Sequence, residues 1–79
     1  MSNRIIETQL IPQLQGQRTY INQINNELGK EIERLEAELA PITNAHTIRK
    51  IKETIVINYQ LLDELIETIQ ILTKANKEN

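Results

Sequence analysis

IRKIKETIVINYQLLDELIETIQIL, residues 48–72, carries apolar side chains at Ile48, Ile51, Ile55, Leu62, Leu65, Ile69 and Leu72. The steps alternate three and four, with one break at Asn58 where the pattern calls for an apolar residue. This is the a/d heptad of a coiled-coil seam, and it predicts one long helix. Fourteen isoleucines would favour strands by propensity alone. A strand needs alternation with period two, however, and the stretch holds that only briefly around Lys50, Lys52 and Thr54. Periodicity decides for helix. Asn44 or Thr47 would open it as an N-cap, and Lys74 and Lys77 suit the negative end of its dipole. The expected bounds are about 44 to about 75.

The preceding half repeats the pattern. Leu10, Leu14, Ile21, Ile24, Leu28, Ile32, Leu35 and Leu39 keep three-four spacing, with Gln17 in the missing slot. The extra four-step from Leu28 to Ile32 is a stutter that relaxes a left-handed supercoil. Gly29 inside it would tolerate a close backbone approach or a slight bend. Proline is welcome in the first turn of a helix, so this one should start near Pro12. Pro41 should stop it, because the residue before a proline is pushed out of the α region. That gives a helix over about 12–40, a turn at about 40–44, and an N-terminal arm or short helix over 1–11. Arg34 and Glu38 are expected to pair across one turn on the outer face.

A short connection between two long helices makes an antiparallel hairpin. Facing residues should then have numbers with a constant sum. Leu35 with Ile48, Ile32 with Ile51, Leu28 with Ile55, Ile21 with Leu62 and Leu14 with Ile69 all add to 83, while Leu10 with Leu72 and Ile24 with Asn58 add to 82. The fold class is therefore all-α, a coiled-coil-like two-helix hairpin. Asn58 and Gln17 are its expected register-setting polar positions, the Asn58 amide being met by Asn25, Asn22 or Gln17.

Composition excludes much chemistry. The 79 residues contain no cysteine and carry a net charge of −2. Disulfides, thiolate metal sites and cysteine nucleophiles are thereby ruled out. Ser2 is the sole serine and His46 the sole histidine; glycines occur only at 16 and 29, so no phosphate-cradling loop exists. The acidic run from Glu27 to Glu38 reads as a hydrated face. No catalytic residue, metal site or cofactor is expected, and the reading is non-enzymatic. The longest apolar run, residues 55–57, is far short of the ~20 residues a membrane span needs. The N-terminal residues lack a secretory h-region, so a soluble, cytoplasmic protein is expected, with no membrane partner.

One seam leaves apolar residues over. Val56, Tyr59, Leu61, Ile66 and Ile71, with Ile57 beside them, flank or back the heptad stripe on the second helix. Exposed apolar patches of this extent mark an interface. A chain below about 80 residues also rarely closes a sufficient core alone. These five are the candidate interface residues. The expected outcome is self-association, first as a homodimer forming a four-helix bundle. Docking on one larger protein, as adaptor, assembly subunit or inhibitor, is the companion reading.

Two resemblances add alternatives. Arg49, Lys50 and Lys52, next to His46, form a basic cluster and a candidate anion site, with Arg49 expected to pair Glu53. In architecture, though in no matched functional residue, the chain resembles Rop-like hairpins, whose four-helix dimers recognise RNA. The net acidic balance opposes strong phosphate binding, so nucleic acid is not the expected partner. Separately, the Gln-x-Leu-Asp-x-Leu-Ile pattern of residues 60–66 looks like the signature of small two-helix aspartyl-phosphate phosphatases acting on sporulation response regulators. Residues 32–39 loosely echo that family's first helix. The resemblance implies that Gln60 and Asp63 reach a phosphorylated aspartate and position water. Tyr59 stands where the family usually has serine, and the spacing between the two motifs is a few residues longer.

Overall fold

A computed structural model describes residues 4–38 and 41–78. The chain is all-helical, with two long helices, α1 (Ile11–Ala37) and α2 (Pro41–Glu78), packed against each other as a hairpin. A single π-helical turn, Ile6–Leu10, leads into α1. Leu39 of the expected heptad and residues 1–3 of the expected arm lie outside the described residues.

Pro12 explains the π turn. It has no N–H, and its ring crowds the carbonyl four residues back. The chain widens just ahead of it, so that the Ile11 amide donates to the Ile6 carbonyl five residues earlier. Thr8 Oγ1 donates to the Arg4 carbonyl at 2.5 Å within this segment. From residue 4 onward the backbone is therefore helical and runs into α1 without a break. The π turn also packs against α2.

The turn differs from the expected one. α1 ends at Ala37, where Glu38 turns to extended backbone with φ −78° and ψ 155°, its amide donating back to the Leu35 carbonyl at 3.3 Å. α2 starts at Pro41, three residues ahead of Asn44. One proline thus serves both ends: it cannot continue the first helix, and its fixed φ suits the start of the second. Asn44 is released from the expected N-cap role. Buried within α2, it donates through Nδ2 to the Leu35 carbonyl at 3.0 Å and to Glu38 Oε2 at 3.2 Å. It caps the end of α1 from across the turn, giving the Leu35 carbonyl a second, shorter hydrogen bond beside the one from the Glu38 amide.

The seam follows the register of 83. Leu35, Leu62 and Ile69 are its buried hydrophobic residues, flanked by half-buried Ile21, Leu28, Ile32, Ile48, Ile51 and Ile55. Asn58 meets Asn25, not Asn22 or Gln17, with Nδ2 donating to Asn25 Oδ1 at 2.9 Å. That pair adds to 83, one more than the expected pairing of Asn58 with Ile24. Asn25 Nδ2 is itself buried without a hydrogen-bond partner. Gly29 makes no close approach: a Cβ built there meets nothing within 4 Å.

The result is a rod of 61 × 16 × 11 Å, a single layer one helix thick. Its radius of gyration, 17.8 Å, compares with about 12 Å for a compact domain of this length.

Candidate interaction surface

Helix geometry distributes the five candidate interface residues. All five are exposed. At about 100° per residue, Tyr59 and Ile66 fall on one flank of the α2 seam, with Val56 further round the same side, and Leu61 falls on the other flank. Ile71 points from the back of the helix. The five therefore do not form one face, because i and i+2 on a helix point nearly opposite ways.

The flank holding Leu61 is shared with α1. Leu14, Gln17 and Ile21 of α1 line one wall of a groove whose other wall is Leu61, Leu65 and Thr68 of α2, with Glu64 at the rim. Ile57 lies one turn before Leu61 on α2, where it lines a separate shallow depression with Lys52, Glu53 and Val56, and Tyr20 stands beside Gln17 on the α1 side. Both are exposed. On the opposite flank α1 presents Gln15, Arg18, Asn22 and Asn26, all exposed and polar. Apolar residues from both helices thus converge on the Leu61 flank, whereas on the Tyr59 flank α1 adds only the half-buried Ile11 at its start. α1's contribution escaped the sequence reading, which followed the surplus on α2 only. The usable signal was Tyr20, a large ring three residues past the polar seam position Gln17.

Gln17 is exposed in the single hairpin and lies in this groove. It does not contact Asn58, whose partner is Asn25.

The basic cluster separates. Arg49 and Lys52 border a second groove at the turn end, together with Leu35, Glu36, Ala45 and Ile48. Lys50 lies round the helix and pairs with Glu53 at 3.7 Å. Arg49 Nη2 instead donates to His46 Nδ1 at 3.1 Å, so Arg49 is not the partner of Glu53. A carboxylate, Glu36, shares the groove with the two remaining cations, which weakens it as an anion site. Gln60 and Asp63 are exposed one turn apart on the outer side of α2.

The strongest electrostatic cluster is on α1. Arg34 forms ion pairs with Glu31 and with Glu38, donating through Nε to Glu31 Oε2 at 3.0 Å. Hydrogen bonds from Arg34, aided by its charge, hold the Glu31 carboxyl below the usual carboxylate range. Glu31 in turn raises the Arg34 pKa above its ordinary value. Such exposed pairs tune the helix surface more than they hold the fold.

Among the described residues no group of three or more His, Cys, Asp or Glu is placed to hold a metal. No helix there is long and apolar enough to cross a membrane. No family model, curated protein or solved structure matches the chain. Two antiparallel helices offer a groove with two walls.

Proposed function

We propose that this chain is a non-enzymatic protein–protein interaction module that completes its core against another helical surface. The first such surface is a second copy, giving a four-helix bundle. In that form it serves as an adaptor, an assembly subunit or an inhibitor of a larger protein.

One observation carries the reading. The hairpin exposes 6143 Å², whereas a folded monomer of its 9.2 kDa exposes about 4,900 Å². The surplus is roughly 1,200 Å² per chain. Stable domains pack at least two layers of secondary structure, and this rod has one. If two hairpins covered that surplus mutually, the total would be roughly 2,400 Å², within the range of obligate homodimers.

Sedimentation of the purified full chain over a range of concentrations tests the proposal. The expected result is a helical species of at least twice 9.2 kDa. A folded helical monomer at all concentrations would overturn it.

A further inference from the structure

We infer that the groove between Gln17 and Leu65 is the contact face of a two-fold dimer, and that the dyad crosses the rod at Gln17, which pairs with Gln17 of the second copy. This rests on the self-association reading above and adds to it the face, the occupant and the symmetry axis.

The choice of face follows from charge and from the helices that contribute. From Leu10 to Ile24 on α1 and from Ile57 to Leu72 on α2, the flank carries Leu, Ile, Tyr, Gln and Thr, with Glu64 only at the rim. Cores of protein interfaces are depleted in charge and enriched in aromatic and aliphatic side chains. Over the same residues the opposite flank carries Arg18 on α1, an exposed cation next to the seam. Leu10, Tyr20, Ile57 and Leu61 are the large exposed hydrophobics of the favoured flank. They come from both helices, as a face packed on two partner helices requires.

The occupant follows from area and self-complementarity. The surplus of roughly 1,200 Å² per chain is what each copy of an obligate homodimer buries. An isologous interface uses the same patch twice, so the patch must tolerate its own image. The stripe runs over residues 10–24 and 57–72 with Glu64 at its rim, and its midpoint falls at Gln17 on α1 and beside Leu65 on α2.

Two axes lying between the layers satisfy two-fold symmetry. If the dyad runs along the rod, Gln17 faces Leu65 of the second copy, and a primary amide is buried against an aliphatic side chain without a partner. A buried amide left without a partner is costly. If the dyad crosses the rod at the midpoint, α1 packs on α1 and α2 on α2. Gln17 then meets Gln17, each amide donating to the carbonyl of the other, and Leu65 meets Leu65. The crossing axis is therefore favoured, with the hairpin turns at opposite ends. It also accounts for a glutamine at a heptad position where a single hairpin leaves it exposed: a polar side chain there specifies register and oligomeric state.

Because the chain has no cysteine, introduced thiols report on the dimer directly. Gln17→Cys, oxidised with diamide, should give a covalent dimer on a non-reducing gel. Asn26→Cys on the opposite flank should give at least tenfold less. Wild-type chain that sediments as a dimer, combined with no preference for Gln17→Cys over Asn26→Cys, overturns the face and leaves self-association standing. A mixture of Gln17→Cys and Leu65→Cys chains should yield disulfides between like positions, 17 to 17 and 65 to 65, first. Preferential mixed disulfides overturn the crossing axis. Ile57→Glu with Leu61→Glu alters side chains that are 56% and 44% exposed in one hairpin, and should raise the dimer dissociation constant at least 100-fold. Tyr59→Glu with Ile66→Glu should change it less than fivefold; the reverse ranking overturns the assignment. A folded monomeric wild type would remove the self-association reading itself.

Discussion

Asn58 and Asn25, 33 residues apart in sequence, are joined by a 2.9 Å hydrogen bond across the seam, and Asn25 keeps one buried amide hydrogen donor without a partner. The pair occupies a layer that apolar residues fill above and below it. Satisfied only in part, it is a specificity device more than a source of stability.

Replacing one member should therefore hurt more than replacing both. Asn58→Leu strands the Asn25 amide in the seam and should destabilise by about 1–3 kcal/mol. The double variant Asn25→Leu with Asn58→Leu removes both amides and should be at least as stable as wild type, while sampling more than one register or assembly. Urea denaturation across the double-mutant cycle, with sedimentation of each variant, checks this. A double variant less stable than either single one would contradict it.

Asn44 closes the hairpin by capping α1 at Leu35 and Glu38. Asn44→Ala leaves the Leu35 carbonyl only the longer hydrogen bond from the Glu38 amide and should cost about 0.5–1.5 kcal/mol. Asn44→Asp should be worse at neutral pH, since an ionised carboxylate then faces a carbonyl and the Glu38 carboxylate. That extra deficit should shrink in acid as the introduced carboxylate protonates. Urea midpoints measured at neutral and acidic pH give the comparison.

The two glycines sit within α1 at positions where an added Cβ meets nothing within 4 Å, and neither has positive φ. Gly16→Ala and Gly29→Ala should each stabilise by about 0.5–1 kcal/mol, because alanine loses less backbone entropy in a helix interior. The sites are far apart, so the gains should add. Thermal melts followed by circular dichroism would show it. A loss at Gly29 would mean that another surface packs closely there.

The Glu31 carboxyl is held below its usual range by hydrogen bonds from Arg34. A carboxyl lowered in the folded state contributes stability that is present above its unfolded pKa and lost as pH falls through its folded pKa. The contribution should therefore disappear in acid, and high salt should reduce it, because the pair is exposed to solvent. In Arg34→Gln, the Glu31 titration followed by NMR should move back up towards that of an ordinary glutamate. An unchanged titration would show that Arg34 is not its cause.

Register was readable from the residues because heptad spacing is a property of one helix. Any two such stripes joined by a short turn must meet with numbers of constant sum, as Leu35 with Ile48 and Asn25 with Asn58 do. Helix type and length followed from the same three-four period, and Pro12 and Pro41 marked boundaries to within a few residues. Other features depend on neighbours that sequence separation hides. Asn44 reads as the start of α2 on local preference. It acts on the end of α1, because Pro41 begins the second helix earlier and brings that side chain beneath Leu35. The flanks are the clearest case. Val56, Tyr59, Leu61, Ile66 and Ile71 look like one surplus along the chain. Only when α1 is set beside α2 does Leu61 acquire Leu14 and Ile21 as neighbours, while Tyr59 faces a polar flank. Spacing along one helix says which residues leave the seam; which of them form a surface depends on what the second helix places beside them.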